Sequence, residues 1–178
     1  MKTQKNKNFE KPLMGFTYIE ILIAVVILAF VLIPLLNQFY IGFLGNKAGE
    51  IITQATNIAE DLMDEIKSKR FDENIFPAAV TPPGSLGLDS GEAHTSRGKC
   101  DDVDDFNNLT QSPPKNIDGS LISGFESFTR SVRVEYAVLN ASNRWVSSSS
   151  ATNYKRIVVT VSHPEIANVV LETIVSYY

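Results

Sequence analysis

An unbroken apolar run from Ile21 to Leu36, preceded by a single carboxylate at Glu20, restricts this chain more than any other feature. At about 1.5 Å per residue, a helix from Phe16 to Leu36 is long enough to cross a hydrocarbon core of roughly 30 Å. The run therefore predicts a membrane-spanning helix over 16–36. An ionisable group in such a helix costs on the order of 2–3 kcal/mol at the bilayer centre and is retained where it has a task. Glu20 therefore calls for an explanation.

Flanking charge orients the segment. Lys2, Lys5, Lys7 and Lys11 precede it, while only Lys47 follows it before Thr53. The bias of lysine and arginine towards the cytoplasmic side predicts a cytoplasmic N-terminus and an exported C-terminal portion. A secretory signal peptide has an apolar region of about 7–15 residues and a small-x-small cleavage site. This run is longer, carries a glutamate and ends without such a site.

The basic leader, Gly15, the sequence Phe16-Thr17-x-x-Glu20 and the apolar run together resemble the cleavage and assembly signal of type IV prepilins and type II secretion pseudopilins, over about residues 11–40. The resemblance implies that a prepilin peptidase cuts after Gly15 and methylates the new N-terminus at Phe16. It further implies that Glu20 pairs with the N-terminal ammonium of a neighbouring subunit. The expected partners are then other pilin or pseudopilin subunits, the prepilin peptidase and the inner-membrane assembly machinery. The expected function is a minor pilin or pseudopilin subunit, assembled into a type IV pilus or a type II secretion pseudopilus. It would begin as a single-pass inner-membrane protein with a periplasmic head, and reach the pilus or cell surface after assembly. The family usually places a helix-breaking proline about one turn beyond Pro34, where this chain has Asn37.

Pro34 removes one backbone donor inside the run, which predicts a bend or a local opening. Gly42, Gly45 and Gly49 each lower helix stability by about 1 kcal/mol relative to Ala, so 34–49 is the softest part of the helix. Gly45-x-x-x-Gly49 also suits close helix approach. Beyond it, Ile51, Ala55, Ile58, Ala59, Leu62, Met63 and Ile66 recur at three- and four-residue spacing, as on one buried face of an amphipathic helix from about Glu50 to Lys69. Lys67, Lys69 and Arg70 favour the negative end of its dipole.

From Phe71 to Glu126 the periodicity is lost and turn formers dominate, among them Pro77, Pro82-Pro83-Gly84, Pro113-Pro114 and Gly119. So long an irregular stretch is uncommon in a compact domain and is often functional. It holds Asp101-Asp102-Val103-Asp104-Asp105-Phe106. Four carboxylates in five residues repel one another unless they are solvated or share a cation. Three readings stand open: a solvated acidic turn, an oxygen-ligand calcium site at Asp101, Asp102, Asp104 and Asp105, and a loop that contacts a partner. The spacing lacks the glycine and distal glutamate of a helix-flanked calcium loop. The acidic-aromatic stretch also resembles one in the MshD-like minor pilins of the mannose-sensitive haemagglutinin pilus system.

The C-terminal third alternates as strands do. Val132, Val134, Tyr136 and Val138 fall on one face of a strand over Phe128 to Leu139, opposite Arg133 and Glu135. Ile157, Val159 and Val161 repeat the pattern, as do Val169, Leu171, Thr173 and Val175. The expected fold is α+β: a long N-terminal helix, transmembrane in its first half and amphipathic in its second, packed on a C-terminal antiparallel sheet of three or four strands, the pilin-like arrangement. The segments are a leader at 1–15, a transmembrane helix at 16–36, an amphipathic half-helix at 37–70, an irregular region at 71–126 and a sheet at 127–178, with 37–178 forming one periplasmic head.

The formal net charge of −4 hides an asymmetry, because the leader is basic and the remainder is strongly acidic. Phosphate would meet like charge, so nucleic acid is not an expected partner. Cys100 is the one cysteine, which excludes an intramolecular disulfide and favours a small inert side chain. His94 and His163 are isolated. Without a glycine-rich phosphate loop, a metal-spaced His/Cys set or an acid/base pair, the sequence argues against an enzyme. A membrane-anchored periplasmic binding or adhesin-like domain, using the 72–126 region as its surface, is the alternative to the structural subunit.

Overall fold

The computed structural model describes residues 15–73 and 81–177, so the leader ahead of Gly15 lies outside the described residues. Helix α1 (Tyr18–Lys67) runs through Pro34 and all three glycines without a break. The local opening expected around Pro34 is therefore absent. The proline deletes one hydrogen bond of the ladder, and the flanking leucines and isoleucines carry the helix past it. The last turn closes through Ser68 N–H to the Asp64 carbonyl at 3.1 Å and Lys69 N–H to the Ile66 carbonyl at 3.0 Å.

The chain divides into two compact units, Met1–Gly45 and Asn46–Tyr178. In the first, every described residue is exposed, including Ile21, Val25, Leu28, Phe30 and Leu36. The helix is long and apolar enough to cross a membrane.

The second unit holds an antiparallel five-stranded sheet: β1 (Thr110–Gln111), β2 (Thr129–Leu139), β3 (Trp145–Ser147), β4 (Tyr154–Ser162) and β5 (Val169–Ser176). The order is β1-β2-β4-β5, with β3 pairing the far end of β2. Its apolar face lies on the seven helix residues expected from their spacing, Ile51 to Ile66, all of them buried. Val132 and Val134 of β2 and Ile157, Val159 and Val161 of β4 face them in one core, and Val169, Leu171 and Val175 of β5 pack at its margin.

Val138 departs from its expected face and is 42 % exposed. β2 changes partner at this point: its pairing with β4 ends at Tyr136 opposite Lys155, and its pairing with β3 begins at Ala137 opposite Ser147. Tyr136 and Ala137 are both buried, so the alternation slips by one residue and turns Val138 outward.

The region before β2 is irregular yet interior. It forms short 3-10 turns at Pro83–Ser85, Arg97–Lys99 and Asp104–Phe106, and sends Cys100, Val103, Phe106 and Leu109 into the core. It is clipped to the helix end by Arg70 N–H to the Asp101 carbonyl at 3.3 Å and Val103 N–H to the Arg70 carbonyl at 2.9 Å. Gly119 has φ +89 and a Cβ there would stand 2.4 Å from the Thr95 carbonyl oxygen. Only glycine meets both the backbone angle and the close approach.

Candidate functional site

Gly15, Phe16 and Thr17 precede the helix, and Thr17 caps it. Glu20 N–H donates to Thr17 Oγ1 at 3.4 Å, while Thr17 N–H donates to Glu20 Oε2 at 3.3 Å. This is a reciprocal capping box, with the carboxylate in the first turn where the helix dipole favours it. The Thr17 hydroxyl lies 3.5 Å from the same Oε2. Both contacts fall on one oxygen and leave Oε1 without a hydrogen bond among the described residues. Phe16, Glu20, Ile21, Ala24, Val25 and Leu28 line a shallow apolar recess beside it. The sequence reading gave roles to Gly15, Phe16 and Glu20 and quoted Thr17 without one, although Thr-x-x-Glu ahead of an apolar run is itself a helix-start signal.

The acidic stretch is not a solvated turn. Asp102, Asp104 and Asp105 are buried, and Asp101 alone is at the surface, paired with Arg70. Asp102 Oδ1 accepts the backbone N–H groups of Asp104 and Asp105 at 2.9 and 3.2 Å, and its Oδ2 accepts that of Glu73 at 2.8 Å. Asp105 Oδ2 accepts the N–H groups of Asp101 and Asp102 at 2.8 and 3.1 Å. Short acidic side chains here replace the backbone partners that an irregular segment lacks. Burial pushes the Asp102 carboxyl up, with Asp105 adding to it, and pushes Asp104 up to about 7 against the opposing pull of Lys155.

Lys155 supplies the counter-charge. Its Nζ, fully buried, donates to Asp104 Oδ1 at 2.5 Å, to Asp72 Oδ2 at 3.2 Å and to the Phe71 carbonyl at 2.6 Å. It lies 4.6 Å from the Phe71 ring centroid and 5.6 Å from that of Tyr136. The Tyr136 hydroxyl donates to the Thr81 carbonyl at 2.7 Å. A second buried group joins the loop to the helix, where Arg97 grips Glu65 through Nε–Oε1 at 2.9 Å and Nη2–Oε2 at 2.8 Å. Arg130 donates to Gln111 Oε1 at 2.8 Å and to the Lys115 carbonyl. Burial, then repulsion from Arg97, pulls its guanidinium down to about 10. The sequence reading missed Lys155 and Arg130, yet both share strand parity with core residues: 155 with 157, 159 and 161, and 130 with 132 and 134.

The four aspartates proposed as joint calcium ligands do not converge on one point. Among the described residues, the acidic group whose oxygens come within 4.8 Å of one another is Asp89, Glu92 and Asp105. Of the four, only Asp105 belongs to it. His94 Nε2 lies 2.8 Å from the Asp105 carbonyl, and His163 Nδ1 accepts the Glu165 N–H at 3.2 Å in the turn that precedes β5. Cys100 is buried and unpaired, and burial pushes its thiol up to about 11. Such a thiol is a poor nucleophile at neutral pH.

Comparison with models of protein families, with curated proteins and with solved structures finds no significant match to this chain.

Proposed function

We propose that the chain is a minor pilin or pseudopilin subunit, cut after Gly15 and N-methylated at Phe16 by a prepilin peptidase, and assembled into a type IV pilus or a type II secretion pseudopilus. The observation that carries this reading is the capping box at the start of a helix whose apolar first half is wholly exposed. Glu20 Oε2 is occupied within its own chain by Thr17. Oε1 remains for a cation, and the ammonium released at Phe16 on a neighbouring copy is of the right charge. In hydrocarbon, a carboxylate that gains such a partner exchanges an unfavourable solitary charge for a charge-assisted hydrogen bond. Association is then favoured when the partner's N-terminus comes to the level of Glu20, which sets the stagger between subunits.

The rest of the helix fits the same role. The exposed apolar side chains between Phe16 and Leu44 need an apolar environment, first lipid and later the matching helices of other subunits. The seven-residue stripe that follows is already covered by its own sheet and has nothing left to offer a partner. Assembly therefore belongs to the first half of the helix, and the head is carried along by the second.

Intact-mass measurement on the protein taken from native membranes tests the reading. The expected product begins at Phe16 and carries one added methyl group. A product that retains the leader, or one cut beyond residue 30, would overturn it.

A further inference from the structure

The turn Asp89-Ser90-Gly91-Glu92 brings two carboxylates together: Glu92 N–H donates to the Asp89 carbonyl at 3.2 Å, and Asp89 N–H donates to Glu92 Oε2 at 3.0 Å. Gly91, at φ +98, supplies the positive angle required at the third position of such a turn. Asp105 reaches the same place from its 3-10 turn, so that one oxygen from each of the three residues lies within 4.8 Å of the others. Asp105 is 1 % exposed. Its Oδ2 is used by two backbone N–H groups, and its Oδ1, also buried, accepts no hydrogen bond among the described residues.

Among the described residues, no cation of the protein meets this group. None of the ion pairs among the described residues involves Asp89, Glu92 or Asp105, and the nearby Lys99 ammonium points to the Gly91 carbonyl at 3.5 Å. Crowding shows in the carboxyls themselves. One carboxyl oxygen from each of Asp89, Glu92 and Asp105 shares a space no more than 4.8 Å across. A buried carboxylate oxygen with no donor, on a residue whose carboxyl comes within 4.8 Å of two others, is costly unless a cation is shared.

We propose that Asp89, Glu92 and Asp105 form a calcium site. Oxygen-only ligands at uneven spacing, one buried and one exposed, suit a large ion with flexible coordination, and water completes the shell on the Asp89 side. Magnesium, which requires near-ideal octahedral geometry, is disfavoured. The ion ties the turn at 89–92 to the 3-10 turn at 104–106, whose Phe106 is in the core. This assignment is independent of the role of the apolar helix.

The test uses the full chain in detergent, with calcium chloride as the probe. Equilibrium dialysis with radioactive calcium should give one ion per chain, with affinity in the 10⁻⁴–10⁻³ M range of extracytoplasmic modules. Ten-millimolar calcium should raise the thermal midpoint by roughly 2–5 °C over chelator. Glu92→Gln and Asp89→Asn should each lose most of that rise, and in chelator Glu92→Gln should melt no lower than the parent, because like charges are relieved. Asp101→Asn should keep the full rise. Absence of bound calcium in the parent would overturn the site, as would a rise that survives Glu92→Gln. A rise abolished by Asp101→Asn alone would return the ion to the consecutive aspartates, and one reproduced in full by magnesium would remove the assignment to calcium.

Discussion

Lys155 Nζ and Asp104 Oδ1, on residues 51 apart in the chain, meet at 2.5 Å with at most 4 % of either side chain exposed. The pair joins the central strand β4 to a 3-10 turn of the irregular region, and Asp72 joins it at 3.2 Å from the segment just after the helix. Three parts of the head, two of them also bridged through their backbones at Arg70 and Asp102, are thereby tied to one ammonium.

Replacing Lys155 with Met keeps the apolar stem and removes the charge. Asp104 and Asp72 are then buried without a counter-ion, a loss of about 3–5 kcal/mol, read as a fall in the thermal midpoint of roughly 10 °C. Adding Asp104→Asn to Lys155→Met should recover part of it, because one uncompensated carboxylate is gone. A fall below about 2 °C for the single variant would show that the lysine does not hold these carboxylates.

Thr17 and Glu20 separate the capping role from the assembly role. Thr17→Val removes the hydroxyl cap, worth about 1 kcal/mol at the helix start, but leaves the carboxylate, so leader cleavage and entry into filaments should stay near the parental level. Glu20→Val should still insert and be cleaved, yet its fraction in sheared filaments relative to membranes should fall sharply, because a neighbour's ammonium is buried unpaired. Equal losses in the two variants would mean that Glu20 acts through the helix start alone.

Cys100 gives the pH dependence. Its folded thiol is raised to about 11 from an ordinary value near 9, so the folded state holds the proton more tightly than the unfolded state does. The corresponding stability is fully present below about pH 9 and is lost as the pH rises towards 11. At pH 9 the folded protein should resist iodoacetamide while the protein in urea reacts promptly, and Cys100→Ala should lessen the alkaline loss of thermal midpoint between pH 9 and 11. Rapid labelling of the folded chain would contradict the burial of this thiol.

The amphipathic face was legible in the sequence residue by residue, because Ile51 to Ile66 obey a single helical period that burial alone dictates. Strands β2, β4 and β5 were legible for the same reason, apart from Val138, where a change of partner at Ala137 altered the register and no local pattern records such a change; β1 and β3, too short to show alternation, raise the expected three or four strands to five. A solvated acidic turn stood among the open readings because charge density along the chain favours water. The partner that reverses this, Lys155, lies about fifty residues away and is marked only by its parity with Ile157, Val159 and Val161. Asp89 and Glu92 were passed over for a related reason: their link to Asp105 exists only once the irregular region folds back on itself. The capping role of Thr17, by contrast, needed no tertiary information and could have been read from its spacing to Glu20.

The helical stripe from Ile51 to Ile66 is made early in synthesis, but the strands that cover it, β2 and β4, begin only at Thr129 and Tyr154. For more than sixty residues of elongation the growing polypeptide carries a ready apolar ridge with no sheet to receive it, the long-range closure that slows folding and invites association between unfinished molecules. A stop codon anywhere before β4 thus yields a species bare along the spine of its own head, one that a quality-control protease or chaperone would meet in its most adhesive form.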